Sequence, residues 1–98
     1  MRWQVNFVDN VKTQLAADLA SGAINHEDLR IIKRWVVEVE SLGLERTQKN
    51  KDWRDHQLDG KWKGHRAISF SYSGRVIYRV EGDRLIVMVV RVTADHEY

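Results

Sequence analysis

Apolar and polar residues alternate from the start of the chain, where Trp3, Val5 and Phe7 interleave with Arg2, Gln4 and Asn6. A period of two predicts a short half-buried strand. The period then lengthens to four. Val11, Leu15 and Leu19 predict a helix that Asp9 or Asn10 can cap and Gly22 ends. Asn25 opens a second helix, with Glu27 and Asp28 in its first turn, where carboxylates suit the positive end of the helix dipole. Ile32, Val36 and Val39 form its buried stripe, flanked by Ile31 and Trp35, and Gly43 stops it. The short turn between the two helices predicts an antiparallel hairpin.

From Leu44 to Gly64 the periodicity dissolves into charge, with isolated Trp53, Leu58 and Trp62, so this stretch reads as loop. Three strands are predicted after it. Ile68, Phe70 and Tyr72 alternate with small polar residues; Ser73-Gly74 turns the chain into Val76, Tyr78 and Val80; Gly82-Asp83 turns it again into Leu85 through Val92. The last run is apolar on both faces, as a central strand covered by helices requires. The expected fold class is α+β: an N-terminal strand, an antiparallel helix hairpin and a three-stranded antiparallel meander, with the helices on one face of the sheet. With 98 residues, positions 1–98 are expected to form a single domain.

Composition narrows the function. There is no Cys, which removes disulfides and thiolate metal sites and fits a cytoplasmic protein. No apolar run is long enough for a signal peptide or a membrane span. The net charge is only +2, but its distribution is uneven. Between Arg46 and Arg66 seven Lys or Arg (46, 49, 51, 54, 61, 63, 66) face three Asp (52, 55, 59), so that segment is +4 and the remainder −2. Concentrated positive charge suits an anionic partner such as nucleic acid, although a solvated loop would show the same run.

No glycine-rich phosphate loop opens a helix, and the four His (26, 56, 65 and 96) have no metal-ligand spacing. What remains is a set of cations, Arg54, Lys61, Lys63, Arg66, Arg75, Arg79 and Arg91, with the proton carriers His56, His65, His96 and Tyr98. Metal-free RNA cleavage needs this kit and no cofactor. A base takes the proton of the ribose 2′-hydroxyl, an acid protonates the departing 5′-oxygen, and fixed cations stabilise the phosphoryl charge. Histidine suits the proton work, and the planar fork of arginine matches phosphate oxygens. Arg79, alternating with apolar residues, reads as a solvated strand charge. Arg91 reads as a half-buried cation near the end of an apolar strand, where it needs a partner or a purpose. Trp53 and Trp62 read as core.

The ordered motifs His56-x-Leu58-x-Gly60-x-Trp62, Arg66 before a strand, Arg75-Val-Ile-Tyr78 and a terminal His96-x-Tyr98 resemble the RelE/ParE toxin superfamily, nearest to its YoeB and YafQ branches. Toxins of that kind cleave messenger RNA in the decoding site of the ribosome and are neutralised by a cognate antitoxin. By resemblance, Arg75 takes the place of the phosphate-binding arginine, His96 and Tyr98 that of YoeB's terminal acid–base pair, and His56 that of the first histidine of YafQ's set. Arg91 completes the catalytic group, while Arg54, Lys61, Lys63 and Arg66 are expected to bind RNA. The pattern departs from the family in two places. Glu97 separates His96 from Tyr98, and YafQ's second histidine and Asp-Trp pair fall at Ser69 and Ser73-Gly74, which leaves the base open among His96, His56 and Asp52. The expected partners are an antitoxin, the ribosome and mRNA, with either a monomer or a homodimer open. Two other functions fit the same fold: a ParE-like toxin that binds DNA gyrase without chemistry, and an RNA-binding module that does not cut.

Overall fold

The computed structural model describes residues 2–95. Strand β1 (Gln4–Phe7) leads into α1 (Asp9–Ser21) and α2 (His26–Leu42), then a short α3 (Leu44–Lys49). Strands β2 (His56–Gln57), β3 (Arg66–Ser69), β4 (Arg75–Glu81) and β5 (Ile86–Thr93) follow, completing a sheet of order β1-β5-β4-β3-β2. The expected α+β class is observed, and β3, β4 and β5 form the predicted antiparallel meander.

Local chemistry explains the helix limits. Asn25 accepts from the Asp28 backbone N–H while Asp28 accepts from that of Asn25, a reciprocal cap that satisfies two otherwise unpaired donors. Gly22 ends α1 in the left-handed region at φ 84, which glycine enters without a Cβ penalty. The start of α1 differs from expectation: its cap is Val8, without a side-chain bond, because Val8 continues the β1 pairing by donating to the Val89 carbonyl at 3.1 Å.

Two elements were not foreseen. The stretch read as loop contains α3, where Leu44 and Thr47 are buried one turn apart and the Thr47 hydroxyl donates back to the Gly43 carbonyl at 2.9 Å. It also contains β2, which adds two residues to the β3 edge. The N-terminal strand pairs parallel to β5, so β5 lies inside the sheet, as its apolar run requires. The outer edge of β1 is covered by α2, with the Val5 N–H donating to Glu40 at 3.0 Å.

The core lies between helices and sheet. Val11, Ile32, Trp35 and Val39 meet Ile68, Val76, Tyr78, Val87, Val89 and Val92, with Trp3, Val5 and Phe7 packed against them. Ala67 and Ile77 are fully buried without belonging to that cluster. They lie on the opposite face, and that face carries the residues of interest.

Candidate nucleic-acid interface

Cross-strand register decides which side chains share the face away from the helices, because directly paired residues point to the same side. His56 pairs with Ala67, Ala67 with Ile77, and Ile77 with Arg91. Ser69, Arg75 and Thr93 form the next row, and Arg79 pairs with Met88 beyond. The meander thus brings His56, Arg75, Arg79 and Arg91 onto one face around a small apolar floor. His56 and Arg91 stand three strand spacings apart, roughly 14 Å between backbones.

Histidine 56 is exposed, and its Nδ1 lies 2.8 Å from the Arg54 carbonyl oxygen. A carbonyl can only accept, so Nδ1 donates there, which in a neutral imidazole leaves Nε2 as the basic nitrogen. That is the tautomer a general base needs.

Arginine 75 is held within the fold, unlike a solvated strand charge. It is only 6% exposed, and its Nη1 donates to the carbonyls of Ser71 (3.4 Å), Tyr72 (3.2 Å) and Gly74 (2.9 Å). Its guanidinium therefore knots the β3–β4 turn as well as standing on the face. Arg91 differs in the opposite sense: it is exposed, not half-buried. A bulge in the β4–β5 pairing falls beside it, between Ile77 and Tyr78. Arg79 is half-buried, with its Nη1 3.7 Å from Glu81.

The basic segment divides. Arg54, Lys61 and Lys63 are exposed, and Lys61 sits 5.9 Å over the half-buried Trp62 ring. Trp53 is core, as expected. Lys63, His65, Arg66 and Arg79 line a cleft of about 430 Å³. Arg66, however, is bound inward: its Nε donates to Asp55 at 2.6 Å, and the Asp55 side chain is 1% exposed. The same carboxylate accepts from the Tyr78 hydroxyl at 2.5 Å, and that hydroxyl accepts from Gln48 at 3.0 Å. Burial first, then Asp55, pushes the Tyr78 phenol well above its ordinary pKa. Burial opposes the charge on Arg66, but the hydrogen bond and charge of Asp55 more than offset it, so its pKa is raised. Sequence reading missed this buried clamp. Its members lie on separate elements, so no local pattern in the sequence marked it.

His96 and Tyr98 lie outside the described residues. Among the described residues, no three His, Asp or Glu gather as metal ligands, and no helix is long and apolar enough to cross a membrane.

The same architecture occurs in several solved structures. The E. coli DinJ–YafQ toxin–antitoxin complex matches with a TM-score of 0.71 at 16% identity, covering 95% of this chain and 92% of that one. The YoeB–YefM complex from Staphylococcus aureus matches with 0.69 at 11% identity, covering 95% and 97%. A YoeB/ParE toxin from Agrobacterium tumefaciens matches with 0.69 at 13% identity, covering 92% and 95%. This chain shares its fold with the YafQ and YoeB toxins of those structures. No protein-family model and no curated protein sequence matches the chain.

Proposed function

We propose that this chain is the toxin of a type II toxin–antitoxin system and a ribosome-dependent mRNA endoribonuclease, working by metal-free acid–base cleavage in the cytoplasm. The observation that carries the reading is the placement of His56, Arg75 and Arg91 on the sheet face opposite the helices, in a fold shared with YafQ and YoeB. On that face arginine neutralises the phosphate, and His56 Nε2 is oriented to take the 2′-hydroxyl proton. His96 and Tyr98 are assigned to the acid–base pair by resemblance alone. Arg54, Lys61 and Lys63 steer the RNA backbone, whereas Arg66 acts through the Asp55 clamp that holds β2.

An antitoxin with an acidic segment is the expected partner, since DinJ and YefM are bound to the neighbouring toxins. Expression of the chain with mapping of mRNA 5′ ends, with and without translation, tests the function. In-frame cuts confined to translated messages, lost in His96→Gln by roughly 10²–10⁴-fold, are the expected result. DNA damage with intact mRNA would replace it with the gyrase reading, which the YoeB/ParE neighbour keeps in play.

A further inference from the structure

Tyrosine carries a large apolar ring, and Tyr72 holds it 99% exposed at the tip of the β3–β4 turn. The alternation of Ile68, Phe70 and Tyr72 predicts a strand residue here, but β3 ends at Ser69 and the chain turns away. The turn is tightly held. Besides the three carbonyls bound by Arg75, the Phe70 N–H donates to the Gly74 carbonyl at 3.1 Å and the Gly74 N–H to the Ser71 hydroxyl at 2.9 Å. The Ser73 hydroxyl donates to the Ala94 carbonyl at 2.8 Å. A Cβ on Gly74 would press into the Phe70 ring, so the path allows no other residue without rearrangement. A buried arginine and this bonding hold a turn whose most prominent side chain touches solvent alone.

Beside the ring opens a cleft of about 360 Å³, between this turn and the one at 51–54, walled by Arg34, Asp52, Arg54, Ser69 and Ser71. Arg54 holds the left-handed conformation at φ 52, which a non-glycine residue adopts at a cost and which cluster at functional sites. Ser69 is the cross-strand partner of Arg75, so the cleft begins where the candidate RNA face ends.

We propose that this cleft is a subsite for one nucleotide of single-stranded RNA flanking the cleaved phosphate. The base stacks on Tyr72, Arg34 and Arg54 hold the adjoining phosphates, and Asp52 accepts from an exocyclic amino group of the base. A rigid, exposed aromatic among cations is the arrangement by which proteins grip unpaired bases. This subsite rests on the reading of the chain as an RNA-binding toxin, and the test separates the two.

The anisotropy of a labelled six-nucleotide single-stranded RNA, titrated with the full chain at low salt, reads the subsite directly. Tyr72→Ala should weaken binding on the order of tenfold, whereas Tyr72→Phe, which keeps the ring, should stay within about twofold. An abasic backbone of the same length should bind the parent and Tyr72→Ala alike. Thermal unfolding should not change, because the side chain packs against nothing. Equal RNA affinity in the parent and Tyr72→Ala overturns the subsite, as does an equal loss in Tyr72→Phe. A parent that cuts translated mRNA while Tyr72→Ala binds normally leaves the nuclease reading standing and the subsite fallen. Binding that depends on Tyr72 in a chain that cuts nothing does the reverse.

Discussion

Replacing Asp55 should cost far more stability than removing any exposed cation of the basic segment. Its carboxylate is sealed from solvent, with the Arg66 Nε at 2.6 Å and the Tyr78 hydroxyl at 2.5 Å. Asp55→Ala leaves Arg66 without its ion partner. Loss of one member of a fully buried pair costs about 3–5 kcal/mol, but the Arg66 side chain is 27% exposed, so water recovers part of it. The Tyr78 hydroxyl keeps Gln48 as a donor but loses its acceptor, which costs about 1–3 kcal/mol for a buried group. Together these give about 3 kcal/mol, or a melting temperature lower by roughly 12–24 °C for a chain of this size. Asp55→Asn should be nearly as damaging, because its amide nitrogen would face a donor at one of the two contacts. Thermal unfolding followed by circular dichroism measures the loss. The double variant Asp55→Ala/Tyr78→Phe should fall short of additivity by about 1 kcal/mol or more, since each change removes the same bond. Melting of Asp55→Ala within about 2 °C of the parent would refute the clamp, because an exposed pair contributes that little.

Two further outcomes follow from the same contacts. The Tyr78 phenol ordinarily titrates near 10.0, and burial with Asp55 raises it in the folded chain. The unfolded chain therefore loses this proton first as pH rises, so the stability it contributes is complete below about pH 10 and declines above it by up to about 1.4 kcal/mol per pH unit. Urea unfolding between about pH 9 and 11 should show that decline in the parent and not in Tyr78→Phe; parallel curves would sink the assignment. For Arg75→Ala, cleavage should fall by roughly 10²–10³-fold if the guanidinium meets the phosphate. Because three turn carbonyls also lose their donor, stability should fall by about 1–3 kcal/mol. Cleavage per folded molecule and the melting curve separate these effects, and an unchanged melting temperature would show that the turn does not need Arg75.

The parts of the fold that were legible in the sequence are those whose cause is local. Alternation at residues 2–7, the Asn25 cap and the stops at Gly22 and Gly43 each depend on residues within one turn, and each is observed. The parallel pairing of β1 with β5 joins residues about eighty positions apart, and no local pattern announces it. Helix α3 escaped because one buried leucine and one buried threonine in six residues make no readable stripe.

Charge was the more misleading signal. A run of cations identifies a region but not which of them face solvent, since that depends on partners distant in sequence or on backbone carbonyls. Arg66 is bound by a carboxylate eleven residues away, and Arg75 by carbonyls that every residue possesses. Both belong to the basic set that sequence assigns to RNA, yet each spends bonding capacity on shape, whereas Arg54, Lys61, Lys63 and Arg91 stand exposed. The two kinds of cation are coupled. Arg66, through Asp55, fixes the entry to β2 and so the place of His56, and Arg75 fixes the turn that presents Tyr72. A variant that removes either inward cation should therefore disturb RNA handling through geometry, and salt should not mimic it. Removal of an exposed one should weaken binding with a shallower salt dependence, because fewer counterions are released.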